Sequence, residues 1–295
     1  MVANVATPVA RRRELEDPLN RYLYHRLSKH IARALAPTGV SPNAVSVSGM
    51  LVGWAAAWSY ASLDWPTGAL LGFALLMMWH VLDGADGDLA RLTGKASPAG
   101  ELVDGACDYS AQVMLYLVLT SMLDDSMGWW AWAFAIVAGA SHVAQTNHAE
   151  TQRRSYQWWG YGVPWLKHAE AADDAIFREQ NWFRSPVAWL ARGYLKLAEW
   201  MAPWAGRLDA IVAAAAGDAP KTARIRRMVR ATARSSLVYG KALGPNYRTI
   251  MLGASMLAGS PLWYYLGQIL LLNAILVVSV RHHNAVQRRL VERLG

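Results

Sequence analysis

The sequence predicts an all-α integral membrane protein, a bundle of six transmembrane helices preceded by an amphipathic helix in the membrane interface. Hydrophobic residues make up 54% of the 295 residues and occur in long runs, which is typical of membrane spans. Lys and Arg are absent from three long windows, residues 44–90, 96–152 and 249–280. Basic residues fill the segments between and outside these windows, as expected for loops that stay on one side of a membrane.

The N-terminal element is predicted over residues 14–36. Its apolar side chains recur at helical spacing, at Leu19, Leu23, Leu27, Ile31 and Leu35. Basic residues occupy the other faces, so the pattern predicts a helix that lies in the membrane interface. Pro37, Gly39 and Pro42 end this helix. A soluble amphipathic helix has the same pattern, but the membrane span that follows favours the interfacial location.

The six spans are predicted at residues 44–62, 67–91, 99–123, 128–149, 247–260 and 262–281. Gly259 and Pro261 separate the last two. The positive-inside rule places both termini, the loop at 91–95 and the connection at 150–246 in the cytoplasm. An even number of spans agrees with this orientation. The expected location is the bacterial inner (plasma) membrane, with the functional site at its cytoplasmic face.

Four aspartates lie where the second span ends and the third begins. Asp83 and Asp86 are three positions apart, and Asp104 and Asp108 are four apart, so each pair shares one helix face. Clustered carboxylates repel one another unless cations neutralise them, and oxygen ligands favour Mg²⁺, Mn²⁺ or Ca²⁺ over Zn²⁺. These residues predict a divalent metal site. Asp88 falls on a different face and is expected to be solvated or a minor hydrogen-bond acceptor.

The residues around these aspartates follow the pattern D-x2-D-G-x2-A-R-x8-G-x3-D-x3-D. Its fixed positions are Asp83, Asp86, Gly87, Ala90, Arg91, Gly100, Asp104 and Asp108. This pattern resembles the signature of the CDP-alcohol phosphotransferases, and the resemblance covers residues 38–124. It implies an enzyme that cuts the pyrophosphate of a CDP-linked donor, passes the phosphoryl-alcohol portion to a hydroxyl group and releases CMP.

The resemblance also implies roles for individual residues. The four aspartates would hold two Mg²⁺ or Mn²⁺ ions, and Asp108 would act as the general base. The nucleotide-binding residues implied are Gly87, Ala90, Arg91, Gly100, Pro42 and Asn43. From the residues alone, Arg91 could bind a phosphate or form an ion pair with one aspartate.

Polar residues near the cytoplasmic ends of later spans are candidates for binding the acceptor. They are His142, His148, Arg153, Arg154, Asn246 and Arg248. An imidazole inside a span is costly unless it has a function. The alternative is that these groups only anchor helices at the level of the lipid headgroups.

Residues 150–245 are predicted to form a cytoplasmic helical insertion between spans four and five, so that the chain is a single membrane domain. Ser185 and Pro186 mark a helix start within it. Residues 221–234 predict a basic helix suited to anionic lipid headgroups. No aromatic interleaving or nucleic-acid-binding module accompanies this basic run, so nucleic acid is not an expected partner.

The expected donor is CDP-diacylglycerol, with a polar alcohol such as glycerol, inositol or serine as the acceptor. The alternative within the family is transfer from CDP-choline or CDP-ethanolamine to diacylglycerol. A membrane cation transporter is the alternative from another class; it predicts discontinuous helices and an internal repeat, and neither is visible in the sequence. A homodimer is expected by analogy with the family.

Overall fold

The computed structural model describes residues 14–163 and 186–295. Every regular element within these two ranges is helical. The helices are α1 (His25–Leu35), α2 (Pro42–Ser62), α3 (Thr67–Leu92), α4 (Pro98–Met127), α5 (Trp129–Tyr161), α6 (Pro186–Met201), α7 (Ala205–Ala214), α8 (Ala219–Thr232), α9 (Leu237–Ala242), α10 (Pro245–Leu257), α11 (Leu262–Leu266) and α12 (Asn273–Leu294). A π-helical turn precedes α1, and a second π-helical segment joins α11 to α12.

Three helical stretches in the described residues are long and apolar enough to cross a membrane. They are Thr67–Leu92, Ala99–Met127 and Leu262–Leu294. Helices also occupy the other predicted spans, but the count of six spans and the interfacial location of the N-terminal helix remain predictions. The predicted break at Gly259 is present, because this residue has a φ of 84° between α10 and α11.

Two helices extend beyond the predicted membrane spans, whose bounds remain predictions. α5 continues to Tyr161, past the predicted span at 128–149, and the last helix continues to Leu294, past the predicted span at 262–281. Sequence hydropathy marks where apolar character ends. A helix can continue beyond that point because its backbone hydrogen bonds are satisfied within the helix itself.

The chain divides into two compact units. Unit 1 combines the chain up to Gly139 with Pro245–Ile269, and unit 2 combines Ala140–Gly244 with Leu270–Gly295. The boundaries at Gly139 and Ile269 fall inside continuous helices. The single membrane domain with an insertion at 150–245 remains a prediction.

Close packing of α2 against α3 and α4 builds the core of unit 1. A Cβ atom at Gly53 would lie 2.9 Å from the Cβ of Ala111, and one at Gly72 would lie 2.6 Å from the ring of Tyr60. Glycine at these positions lets the helix backbones approach, as is common in membrane helix packing. The aspartate-bearing ends of α3 and α4 are positioned by this packing.

The N-terminal helix packs on the protein through a face that adjoins its predicted apolar stripe, and Ile31 and Leu35 of the stripe also pack against the core. Tyr24, Ser28 and Ala32 are buried, and they recur at the four-residue spacing of one helix face. Leu23 and Leu27, from the predicted stripe, are 36% and 42% exposed. Part of the apolar stripe is therefore available to face lipid.

A seam of buried polar side chains joins α5 and α12 in unit 2. Gln145 Nε2 donates to Asn273 Oδ1 at 2.8 Å, and Asn273 Nδ2 donates to Ser141 Oγ at 2.9 Å. Further along the seam, His148 Nε2 lies 2.9 Å from Ser279 Oγ. Hydrogen bonds of this kind hold helices together where water is excluded.

Candidate active site

The four aspartates that the sequence selected lie together in unit 1. α3 carries Asp83 and Asp86, and α4 carries Asp104 and Asp108. One carboxylate oxygen from each of Asp83, Asp104 and Asp108 lies within 4.8 Å of the others. Asp86 forms a side-chain contact with Asp104. We call these four residues the acidic cluster.

The start of α4 explains how its two aspartates reach α3. Ser97 is the N-cap residue, and its Oγ accepts a hydrogen bond from the Gly100 backbone N–H at 3.1 Å. This cap sets the first turn of the helix. Asp104 and Asp108, one and two turns further on, therefore fall on one face of α4.

The donor set of the acidic cluster suits a hard divalent cation. Mg²⁺–oxygen bonds are about 2.1 Å long, so oxygens on one ion lie up to about 4.2 Å apart. The oxygen separations within 4.8 Å are close to this, and small side-chain movements would bring them around one ion. Carboxylates placed so close together repel each other strongly unless a cation lies between them or protons are shared.

Two neighbouring side chains that the sequence reasoning missed support the acidic cluster. Ser46 Oγ on α2 donates to Asp86 Oδ2 at 2.6 Å, and the Gly87 backbone N–H also donates to Asp86. The Trp79 side chain forms a hydrogen bond with Asp108. The spacing offered one signal for Trp79, because it lies four residues before Asp83 on the same helix face.

Asp88 is buried, so of its two predicted roles the solvated one is wrong and the hydrogen-bond acceptor is confirmed. Its Oδ2 accepts a hydrogen bond from Ser28 Oγ on α1 at 2.9 Å, and its Oδ1 accepts one from Arg91 at 2.7 Å. A Cβ at Gly87 would lie 3.4 Å from the Arg91 guanidinium nitrogens. Asp88 therefore ties α1 to α3 and holds Arg91, whose side chain stays 45% exposed.

The nucleotide-binding residues implied by the motif surround two helix starts. Ser41 caps α2 by accepting from the Ala44 backbone N–H at 3.2 Å, just before Pro42 and Asn43. A Cβ at Gly100, near the start of α4, would lie 3.6 Å from Asn43 Oδ1. The starts of α2 and α4 thus lie close together, and helix N-termini favour phosphate groups. Ala90 is half-buried near the end of α3.

Two predicted acceptor residues in unit 1 are buried at the start of α10. Asn246 Nδ2 donates to Asp17 Oδ2 at 2.8 Å, so its amide links α10 to the N-terminal segment. Arg248 is 4% exposed and lies near the hydroxyl groups of Tyr116 and Tyr264. This contact places a buried cation beside α4, which carries Tyr116 two turns beyond Asp108.

The other predicted acceptor residues belong to unit 2. His142 is half-buried, and His148 is buried in the polar seam, where its ring meets His283 edge to face at 5.8 Å. Arg153 and Arg154 both donate to Glu150. Burial opposes ionisation of Glu150, but the two arginines outweigh it and hold its pKa at about 2.

Taken together, membrane-length helices and an acidic cluster of oxygen ligands define a helical membrane protein with a candidate site for divalent cations. Residues 39–172 match the family model of the CDP-alcohol phosphatidyltransferases, so this part of the chain is similar to that family. Members of the family generally depend on divalent metals.

One curated relative is the phosphatidylinositol phosphate synthase of Mycolicibacterium smegmatis. It is 32% identical over 127 residues, which are 43% of this chain and 51% of that protein. The matched region therefore spans about half of the relative's length. No solved structure matches the chain.

Proposed function

We propose that this protein is a membrane-bound transferase that moves the phosphatidyl group of CDP-diacylglycerol to the hydroxyl of a polar alcohol and releases CMP. The observation that carries the proposal is the acidic cluster. Its aspartates have the order and spacing of the family motif, and three of their carboxylates converge within 4.8 Å. The family match over residues 39–172 supports the same reaction class.

The chemistry requires one bond exchange at phosphorus. The acceptor oxygen attacks the phosphorus that carries the diacylglycerol group, the bond from that phosphorus to the CMP oxygen breaks, and CMP leaves. Two divalent ions held by the acidic cluster would neutralise the diphosphate and stabilise the charge on the entering and leaving oxygens. Asp108 takes the proton from the acceptor hydroxyl.

Other residues of unit 1 orient these groups. Ser46 and the Gly87 N–H hold the Asp86 carboxylate, and Trp79 holds Asp108. Arg91 has a half-exposed guanidinium. It can bind a phosphate of the donor with the N–H groups that do not contact Asp88. The capped starts of α2 and α4 add backbone dipoles that favour the CMP phosphate.

The second part of the proposal concerns the acceptor. The name of the M. smegmatis relative identifies its product as phosphatidylinositol phosphate, so a phosphorylated inositol is the first acceptor to test. Arg248 is the cation we assign to it, because Arg248 belongs to the same unit as the acidic cluster. Asn246 of that unit has a weaker claim, because its amide already bonds Asp17.

The positive-inside pattern supports a cytoplasmic site in this proposal. A lipid donor enters from the membrane, and a water-soluble acceptor enters from the cytoplasm. The exposed Leu23 and Leu27 of the N-terminal segment would lie against lipid beside this entrance. The bacterial inner membrane is the expected location.

The test is CMP release by the purified protein in detergent with Mg²⁺ or Mn²⁺. CDP-diacylglycerol is offered with inositol phosphate, inositol, glycerol or serine, and CDP-choline and CDP-ethanolamine are offered with diacylglycerol. Asp108→Asn should abolish turnover. Asp125→Asn, an exposed acid at the other end of α4, is the matched control and should retain it.

Metal-dependent release that requires one acceptor establishes the class and the donor branch together. Release only from CDP-choline or CDP-ethanolamine would replace the proposed donor. Tight metal binding without release from any pair would favour a cation transporter.

A further inference from the structure

The basic helix α8 is fixed in unit 2 by its apolar face. Ile225 and Val229 are buried. At the end of α5, a Cβ on Gly160 would lie 3.4 Å from Arg230 Cγ and 3.6 Å from Val229 Cγ1, so the absence of a side chain at Gly160 permits close packing. With this face held against α5, the arginines of α8 occupy defined positions.

These arginines line a cavity with a volume of about 480 Å³. Thr222, Arg226, Arg227 and Arg230 face it together with Gly217 from the preceding loop. Positions 222, 226 and 230 are four residues apart and therefore share one helix face. We call this feature the arginine cavity.

Among the described residues, Arg230 has hydrogen-bond and ring partners, and the Arg226 guanidinium packs against Gly162. Arg230 donates to the Gly160 carbonyl at 2.8 Å and lies over the Tyr161 ring at 5.2 Å. Arg226 and Arg227 form no salt bridge with a carboxylate in residues 14–163 or 186–295. Arg226 and Arg230 lie one turn apart and both line the cavity, and like charges at this spacing repel one another, so an anion between the guanidinium groups would stabilise this arrangement.

The helix start does not supply the anion donors. Asp218 caps α8 by accepting from the Lys221 backbone N–H at 2.9 Å, and the Thr222 N–H donates to the Asp218 carbonyl at 2.9 Å. Thr222 Oγ1 donates to the Ala215 carbonyl. The free donors of the cavity are therefore guanidinium groups, whose planar forks match phosphate oxygens.

We propose that the arginine cavity binds the phosphate group of a phosphorylated polar molecule, as a second anion site of this chain. Its residues belong to unit 2, whereas the acidic cluster belongs to unit 1. A bare phosphate would fill only a small part of the volume, so the remainder accommodates the organic portion of a monoester or diester. The site does not depend on the proposed transfer reaction.

The same chemistry is present in a soluble phosphate monoester and in an anionic lipid headgroup. Glycerol 3-phosphate serves as the soluble probe in titration calorimetry. Short-chain phosphatidylglycerol serves as the lipid probe in native mass spectrometry, with phosphatidylcholine as the zwitterionic reference. EDTA is present throughout, so that the acidic cluster has no metal through which to bind phosphate.

The decisive variant is Arg226→Gln with Arg227→Gln. Its matched control is Lys221→Gln with Arg224→Gln, which removes the same charge from exposed positions of the same helix. Loss of two charge-assisted contacts should raise the Kd of the bound probe by at least about tenfold. The control should change it by less than about twofold.

The probe that binds identifies the source, soluble ester or lipid. Equal weakening by both double variants would mean diffuse attraction to a basic helix and would overturn the proposal, as would the failure of both probes to bind. If the Gln variant does not fold, Arg226→Lys with Arg227→Lys keeps the charge and removes the planar guanidinium donors. The affinity of this Lys variant for the probe should be lower than that of the unmodified protein if the cavity is a phosphate site. An unchanged affinity would overturn the proposal.

Discussion

The acidic cluster and the arginine cavity gather like charges in different ways. The acidic cluster brings carboxylates from two helices together inside unit 1, within 26 residues of sequence from Asp83 to Asp108. The arginine cavity places guanidinium groups along one helix of unit 2. Both arrangements are unfavourable without a counterion, so each indicates the charge of its ligand. The difference is that the acids carry a fixed spacing that the sequence reveals, whereas the cavity depends on a contact between α5 and α8.

Removal of the metal should have the largest effect on the activity that we assign to the acidic cluster. Chelation by EDTA should abolish CMP release, because the acidic cluster loses the cations that neutralise it. Added Mg²⁺ or Mn²⁺ should restore the activity. Activity that persists after exhaustive chelation would show that the carboxylates work without divalent ions.

Replacement of one acid in the cluster should have the next largest effect. Asp86→Asn should lower kcat by about 10²–10⁴-fold, in the range seen for groups that act on the transition state. Asp88→Asn, two positions away, should leave the metal requirement unchanged, because Asp88 bonds Ser28 and Arg91 instead. Steady-state kinetics at a series of Mg²⁺ concentrations measure kcat and the metal requirement of both variants. Equal loss of metal affinity in both variants would contradict the geometry.

The serine that holds Asp86 should have a smaller effect. Ser46→Ala removes the 2.6 Å hydrogen bond to Asp86 and should raise the Mg²⁺ concentration for half-maximal activity by about 10–100-fold. Ser48→Ala, on the same helix, removes only a bond to the Ala44 carbonyl and is the control. An unchanged metal requirement in Ser46→Ala would mean that Asp86 is positioned by other groups.

Helix packing beneath the acidic cluster should contribute to stability. Gly53→Ala would place a methyl group 2.9 Å from the Ala111 Cβ and should destabilise the protein by about 1–3 kcal/mol. Gly139→Ala meets only Tyr116, at 3.8 Å, and should be neutral or slightly stabilising. Thermal unfolding in detergent measures both. A neutral Gly53→Ala variant would mean that α2 and α4 can separate without cost.

The ion pairs of Glu150 should have the smallest effect, and it should depend on pH. The pKa of Glu150 is lowered from 4.5 to about 2, so its contribution to stability is present above pH 4.5 and is lost as the pH falls towards 2. The unfolding temperature of Glu150→Gln should lie slightly below that of the unmodified protein at pH 7. The two unfolding temperatures should converge as the pH falls. A difference that increases at low pH would contradict a stabilising role of the Glu150 ion pairs.

Much of the acidic cluster was predictable because its information is local. Asp83 with Asp86, and Asp104 with Asp108, are fixed on their helices by spacing alone, and the turn between α3 and α4 is short. Ser46 was not predictable, because a serine in an apolar helix has no spacing relation to an aspartate 40 residues later. The burial of Asp88 was not predictable, because its partner Ser28 lies 60 residues away on α1.

The sequence by itself determined the helical class, the apolar stretches, the family motif and the four aspartates, since these follow from composition and from periodicities within a few helical turns. The tertiary structure decided which buried polar groups support them, which face of the N-terminal helix packs inward, and that arginines on α8 line a cavity. Those features depend on contacts between segments far apart in the chain. Their geometry is set by close packing of whole helices, which local spacing does not encode.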